Sequence, residues 1–299
     1  MSIYSEIASN KRKSWFIVGG FFLFTLAVAY VISRAMGYGP DAVAIALIFS
    51  GLSSLGGYYF SDSIVLGLSG ARPASREKDF QFYTVTENLC LAARLPMPKL
   101  YVIEDTAMNA FATGRDPQHA VICATSGILS RLDRTELEGV VAHELSHVRN
   151  YDMRLMSVVA VLVGLIALMA DFFLRWGSLG GRRSKDNEGN LGALFMIAGI
   201  VLAILSPFIA QLIQLSISRS REYLADASAA KITGYPEGLA RALEKLAADK
   251  EPLEVANKAT AHLYITNPLK NHHDSVSWFA GLFNTHPPIA ERVAKLRGM

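Results

Sequence analysis

The stretch 137–148, LEGVVAHELSHV, constrains the fold more than any other part of this 299-residue chain. Its apolar residues recur at helical spacing and predict an amphipathic helix. The apolar stripe consists of Leu137, Val140, Val141, Leu145 and Val148. A capping-box pattern begins the helix at either Asp133 or Thr135, because a glutamate follows each of them three residues later.

Within this helix His143, Glu144 and His147 form the pattern H-E-x-x-H. The two histidines lie one turn apart on nearly the same face, so both imidazoles can reach one metal ion. Glu144 projects about 100° further round and can hold a water beside that ion. The pattern therefore predicts a zinc peptidase site. An ordinary amphipathic helix with two surface histidines stays open as the alternative.

A third ligand is predicted further along the chain, where Glu222 and Asp226 are spaced four apart and share a helix face. Two histidines and Glu222 leave the fourth coordination position of zinc for water, as a catalytic site requires. Asp226 can then accept a hydrogen bond from a ligating imidazole. The alternative is an exposed helix whose acids pair with Arg219 and Arg221.

The composition predicts a membrane protein that carries one soluble domain. Hydrophobic residues make up 51% of the chain, the mean hydropathy is +0.27, and only 18% of residues are charged, below the roughly 25% of soluble domains. Residues 1–71 contain two uncharged runs, 14–33 and 42–61, which predict a membrane hairpin. Flanking basic residues place both of its ends in the cytoplasm. A signal peptide for the first run and a buried soluble helix for the second stay open.

A second hydrophobic pair occupies residues 155–218, with runs at 155–174 and 191–218. We interpret it as a second membrane hairpin, although the basic loop between the runs favours the cytoplasm and the runs could instead lie partly in the protein. An even number of crossings, two or zero, keeps Glu222 on the same side as His143. If the site helix continues, His147 lies about 12 Å before Leu155, which predicts a site close to the cytoplasmic membrane surface.

The remaining segments, 72–154 and 219–299, are predicted to form the two parts of a catalytic domain. Before the site helix we expect one helix and three strands, Ser75–Leu95, Leu100–Ile103, Ala110–Thr113 and Ala120–Ala124. The predicted fold class is α+β: a mostly helical integral membrane protein with a zincin-like domain, in which a small sheet precedes the H-E-x-x-H helix. A sheet edge beside that helix would let an extended peptide add as a strand.

His286 is another candidate, because Pro287 and Pro288 fix the backbone after it. It could bind the reaction oxyanion or orient a ligand, and a loop histidine without a role is an equally open interpretation.

Several function classes are disfavoured. The net charge of +3 comes without a basic and aromatic stripe, which argues against nucleic acid as a partner. The hydrophobic runs carry almost no ionisable residue apart from Asp171, which argues against a transporter or channel. Cys90 and Cys123 form no disulfide framework, so a reducing compartment is favoured, with a single disulfide left open.

The order of these features resembles a known family, the membrane zinc metalloproteases that include the bacterial heat-shock protease HtpX and the eukaryotic CaaX prenyl-protein endopeptidases. The bacterial branch is the nearer of the two. The likeness covers nearly the whole chain. It comprises the N-terminal hairpin, the segment Asn109–Gly114, the motif His143–His147, the second hydrophobic pair, the Glu222 and Asp226 pattern, and Thr285–Pro288.

The resemblance implies that His143, His147 and Glu222 bind one Zn²⁺ and that Glu144 is the catalytic base. It implies that the substrate groove is bordered by Asn109, Ala110, Phe111, Ala112, Thr113 and Gly114. It also implies that His286 and Arg292 belong to the site. The expected function is that of a zinc endopeptidase in the bacterial inner membrane, acting at its cytoplasmic face on misfolded or damaged membrane proteins or unfolded polypeptides. A zinc-binding membrane scaffold without turnover is the alternative.

Overall fold

A computed structural model of the chain describes residues 3–35, 40–162, 165, 219–254, 260, 263–266 and 287–299. Two predictions therefore lie largely or wholly outside the described residues. One is the second hydrophobic pair, of which only 155–162 and 165 are described, and the other is His286.

Two long helices open the chain and pack against each other, α1 at Ile3–Ala35 and α2 at Pro40–Tyr59. A short helix, α3 at Ser61–Leu68, follows them. The predicted runs 14–33 and 42–61 fall on these helices. Among the helices of the described ranges, none combines the length and hydropathy that a membrane span needs. The membrane part of the expected fold stays a prediction.

The sheet is small and mixed. Its strands are β1 at Arg72–Pro73, β2 at Lys99–Ile103, β3 at Ala110–Gly114 and β4 at Ala120–Thr125. They lie in the order β1-β2-β4-β3, with β2 and β4 parallel and the other two pairs antiparallel. Each of the three predicted strands lies within one residue of its expected ends, because alternation and turn residues mark strands locally. Strand β3 forms an edge of the sheet.

The helix before the sheet, α4 at Phe80–Ala93, begins five residues later than predicted from Ser75. The side chain of Asp79 accepts a hydrogen bond from the backbone N–H of Ser75 at 2.8 Å and another from Arg72 at 3.0 Å. These bonds close a turn over residues 75–79, which replaces the first predicted helical turn.

The site helix, α6 at Arg134–Asn150, lies at the centre of the fold. It follows the short helix α5 at Ser126–Arg131 and contacts α4, β3 and two later helices, α7 at Arg219–Thr233 and α8 at Pro236–Ala248. Its N-terminus is a complete capping box at Asp133 rather than Thr135, with Glu136 as the reciprocal partner. At Gly139 a Cβ would meet the Leu239 backbone at 2.6 Å, so α6 and α8 approach at a distance that only glycine allows. The last described helix is α9 at Ile289–Arg297.

The prediction that the site helix continues to Leu155 is wrong. Helix α6 ends at Asn150, Tyr151 is left-handed with φ 60°, and a new helical stretch begins at residue 152. Contacts from α1 hold this break, since Asn10 donates to the Asn150 carbonyl at 3.0 Å and the Lys11 ammonium lies 4.2 Å from the centre of the Tyr151 ring. The stretch 152–162 is buried in the protein.

Candidate active site

Three side chains converge where α6 and α7 meet, and all three are buried: His143, His147 and Glu222. The Nε2 atoms of the two histidines lie 3.2 Å apart. The Glu222 carboxylate faces them, with one oxygen 3.7 Å from His143 Nε2 and the other 3.5 Å from His147 Nε2. Two helices that are distant in sequence therefore supply one compact set of donor atoms.

The spacing of these donor atoms fits a tetrahedral zinc ion. Ligand bonds of about 2.0–2.1 Å at tetrahedral angles separate neighbouring ligand atoms by roughly 3.3 Å. The observed separations of 3.2, 3.5 and 3.7 Å lie close to that value. Two imidazoles and one carboxylate are also the donor types that zinc takes in catalytic sites. The residues present therefore fit the metal that the sequence predicts.

The burial of these side chains excludes the two alternatives to a metal site, which were surface histidines on an amphipathic helix and paired acids on an exposed helix. His143 is 1% and His147 5% exposed, so they are not surface histidines. Glu222 and Asp226 are 1% and 2% exposed, so they do not lie on an exposed helix. Buried ionisable groups are rare unless they are paired or bind metal.

Asp226 supports His143 from the side opposite the metal position. Its Oδ1 lies 2.9 Å from His143 Nδ1. Arg292, fully buried on α9, donates to both Asp226 oxygens, at 2.7 and 2.8 Å, and lies 3.6 Å from Glu222. A proton on Nδ1 of His143, shared with Asp226, leaves the Nε2 lone pair for a metal.

Asp152 contacts Nδ1 of His147 as Asp226 contacts Nδ1 of His143. This contact was not predicted from the sequence. One Asp152 oxygen lies 3.1 Å from His147 Nδ1. The sequence does place Asp152 five residues after His147. On a continuous helix, however, these two residues would lie on different faces and could not touch. Asp152 reaches the histidine only because the chain turns at Tyr151.

Glu144 has the protonation behaviour of a general base. Burial raises its pKa, and the nearby Glu222 carboxylate raises it further, while His147, Arg292 and a hydrogen bond from the Ala112 backbone N–H oppose the rise; the resulting pKa is about 7. A carboxyl group with a pKa near 7 can accept and return protons at neutral pH.

The two ligand histidines titrate differently. Burial lowers the pKa of His143, with Arg292 and His147 acting in the same direction. Burial also acts to lower the pKa of His147, but Asp152, Glu222 and Glu144 more than offset it and raise that pKa to about 9. In the absence of a metal, His147 is therefore the histidine that holds a proton at neutral pH.

The predicted groove strand β3 runs beside Glu144, but other parts of the chain pair with both of its ends. At one end the Ala110 carbonyl accepts from the Ile265 N–H at 2.9 Å. At the other end the Gly114 N–H and the Thr113 hydroxyl bond to Ser157, at 3.3 and 2.7 Å. A peptide that paired along the whole of β3 would have to displace residues 263–266.

Asn109 and Phe111 contact the same segment, 263–266. The Asn109 side chain donates to the Thr266 carbonyl at 3.0 Å and lies 3.4 Å from the Thr266 N–H, while Phe111 packs against Tyr264. Residues 265–266 thus lie against the edge of β3, where they form bends and not a strand. These contacts show that groups on this edge of β3 can bind the backbone of a neighbouring segment.

Comparison with known proteins identifies the family. Residues 76–299 match the model of peptidase family M48. The chain is 45% identical to the protease HtpX homolog of Dictyoglomus turgidum, covering 100% of this chain and 95% of that one. It is 43% identical to the homolog of Caldanaerobacter subterraneus, covering 100% and 98%, and 40% identical to that of Streptococcus uberis, covering 99% and 100%.

Among solved structures, the crystal structure of S. mikatae Ste24p is similar at a TM-score of 0.46 and 20% identity, covering 98% of this chain and 67% of that one. The family match and the full-length relatives confirm the resemblance expected from the sequence and the assignment to the proteases. The mostly helical fold with its small mixed sheet is consistent with that assignment. The chain belongs to peptidase family M48.

Proposed function

We propose that this chain is a membrane-bound zinc endopeptidase that hydrolyses peptide bonds of misfolded or damaged membrane proteins at the cytoplasmic face of the bacterial inner membrane. The observation that carries the proposal is the convergence of His143, His147 and Glu222 with Glu144 beside them. A site of three protein ligands with an adjacent carboxylate is the arrangement of catalytic zinc, whereas structural sites use four protein ligands.

Zinc held by these three residues would lower the pKa of a water molecule to about 7 and polarise the substrate carbonyl. The protein supplies the remaining steps. Glu144 accepts a proton from the attacking water and then delivers it to the nitrogen of the leaving amine. Asp226 and Asp152 keep the two imidazoles in the tautomer that presents Nε2.

Substrate binding along β3 is supported by the way that this strand already binds residues 265–266. The Asn109 side chain contacts both backbone groups of Thr266, and the Ala110 carbonyl accepts from the Ile265 N–H. These contacts involve only backbone atoms of the bound segment, so the same edge would accept an extended substrate of many sequences. We expect a substrate to replace residues 263–266 there.

The membrane location is supported by apolar side chains on the surfaces of α1 and α2. Trp15, Phe16 and Leu23 on α1 expose 51–72% of their surface, and Ile45 and Phe49 on α2 expose 67–69%. Exposed large apolar patches mark surfaces that contact membranes or other proteins. The full-length relatives named as HtpX protease homologs support the protease activity.

The test is proteolysis of an unfolded polypeptide and of a membrane protein by the purified, zinc-loaded chain in detergent. Glu144→Gln should lower turnover by about 10²–10⁴-fold while zinc stays bound. The matched control is Glu138→Gln on the same helix, where Glu138 pairs with Arg134, and it should cleave as the native chain does. Equal cleavage by the native chain and Glu144→Gln would contradict the role of Glu144. Zinc binding without cleavage of any substrate would favour the scaffold.

The proposed side of the membrane has its own test. The same cleavable peptide is inserted into a cytoplasmic or a periplasmic loop of a membrane reporter protein in cells. Cleavage of the cytoplasmic insertion alone supports the proposal, and cleavage of the periplasmic insertion contradicts it.

A further inference from the structure

Asn10 is a buried polar residue on α1, 1% exposed, and its whole side-chain amide is used in hydrogen bonds. Its Nδ2 donates to Asp152 Oδ1 at 2.7 Å and to the Asn150 carbonyl at 3.0 Å. Its Oδ1 accepts from Arg221 at 2.8 Å. A buried amide costs free energy unless its partners are all present, so this position on α1 is specific for its contacts.

The partners of Asn10 either contact a proposed metal ligand or lie close to one in the chain. Asp152 binds Asn10 through Oδ1 and His147 through Oδ2, so its carboxylate lies between the amide and the imidazole. Arg221, which precedes the ligand Glu222 in the chain, also bonds to Asp152, at 3.2 Å. Asn10 therefore contacts both helices that carry the proposed ligands, α6 through Asn150 and α7 through Arg221.

We propose that Asn10 is a positioning residue of the metal site, acting through Asp152 on the zinc ligand His147. This inference rests on the proposed zinc site. Helix α1 then belongs to the support of the metal centre, although Asn10 precedes the first ligand, His143, by 133 residues. The position of α1 and the affinity for zinc are therefore coupled, so a shift of α1 changes the zinc affinity.

The reason is the freedom of the Asp152 carboxylate. Asp152 follows the left-handed Tyr151 beyond the end of α6 and is the first residue of the next helical stretch, so its carboxylate is oriented by its side-chain partners. The Asn10 amide and Arg221 fix one carboxylate oxygen, which leaves the other aimed at Nδ1 of His147. Without the amide the carboxylate can rotate away, and the imidazole loses the partner that sets its tautomer and orientation.

The experiment measures zinc affinity of the full-length protein in detergent by competition with a chelator, together with the visible absorption of the cobalt-substituted protein. Asn10→Leu, which keeps the branched shape of the side chain but removes the hydrogen bonds, should weaken zinc binding about tenfold, the lower end of the effect of removing an outer partner of a ligand. It should also alter the cobalt spectrum, which reports ligand geometry directly. Asn10→Ala gives the same readings if Asn10→Leu does not fold.

Two controls separate positioning from a general loosening of α1. Ser14→Ala removes another buried hydrogen bond one turn along the same helix, where the hydroxyl donates to the Asn10 carbonyl, and it should leave zinc affinity and the cobalt spectrum unchanged. The double variant Asn10→Leu with Asp152→Asn should bind zinc as Asp152→Asn alone does, within about twofold, because residues that act through one partner are not additive.

The inference is overturned if Asn10→Leu or Asn10→Ala binds zinc as tightly as the native protein, or if Ser14→Ala weakens binding equally. It is also overturned if the losses of the double variant add. Failure of the native protein to bind zinc at all is a distinct result, because it contradicts the proposed metal site itself.

Discussion

The Nδ1 atom of His147 lies 3.1 Å from a carboxylate oxygen of Asp152, although Asp152 stands beyond the end of the site helix. The left-handed residue Tyr151 brings the chain back on itself, so an acid that follows α6 supports an imidazole inside it. With Asp226 beside His143, each of the two proposed ligand histidines has its own carboxylate. Such carboxylates usually contribute strongly to metal affinity.

Asp152→Asn should therefore weaken zinc binding by about 10–100-fold, because the amide cannot hold the Nδ1 proton of His147 as a carboxylate does. Chelator competition on the full-length protein measures the effect. Asp62→Asn, on α3, which supplies no residue to the site, is the control and should bind zinc as the native protein does. Unchanged affinity in Asp152→Asn would mean that the contact has no role in metal binding.

Zinc affinity should rise with pH, because the pKa of His147 is raised to about 9 in the metal-free site. A raised pKa means that Nε2 carries a proton below that value, and the metal must displace it. The affinity should gain at least about tenfold per pH unit between roughly pH 6 and 8 and level off above about pH 9. Titrations at several pH values, corrected for the chelator's own protonation, test this. A flat profile over that range would contradict a protonated His147.

Arg292→Leu should destabilise the zinc-free protein by about 3–5 kcal/mol, because it removes the cation that pairs with the buried Asp226 carboxylate and one of the two that neighbour Glu222. Arg297→Leu on the same helix is the matched control. Arg297 also pairs with two acids, but its side chain is 44% exposed, and solvent screening makes the expected loss much smaller. Denaturant unfolding measures both variants, and equal losses would refute the buried role of Arg292.

Gly139→Ala should lower the free energy of unfolding by about 1–3 kcal/mol, since the new methyl group would meet the Leu239 backbone and push α6 from α8. Gly67→Ala on α3 has open space around its Cβ. There the better helix propensity of alanine should stabilise the protein by up to about 1 kcal/mol. Opposite signs for the two substitutions in unfolding experiments support the close contact, and a neutral Gly139→Ala would contradict it.

Local features of the chain were predicted well from the sequence. The H-E-x-x-H helix, its capping-box start and the ends of three strands depend on residues within a few positions of one another, where periodicity and turn chemistry act. The pairing of His143 with His147 has the same local origin, because a helix places residues four apart on one face. Glu222 was proposed from coordination chemistry, and the structure places it beside both histidines.

The elements that pack around the site helix α6 could not be predicted from the local sequence. Its pattern suggested one apolar stripe, whereas the structure buries every residue from Gly139 to Val148. Helices α4, α7 and α8 and strand β3 surround it. Periodicity reports which side of a helix is apolar, but not how many other elements will pack around it.

By itself the sequence determined the helix that presents the two histidines and the strands beside it, and it singled out Glu222 as the third candidate ligand, because each follows from neighbouring residues or from the donor atoms that zinc requires. Only the tertiary structure decided where that helix stops and what supports its second histidine. The left-handed backbone at Tyr151 follows no glycine signal and is held by Asn10 and Lys11 of α1. Contacts between segments about 140 residues apart leave no pattern in the local sequence, and they form only when the whole chain has packed.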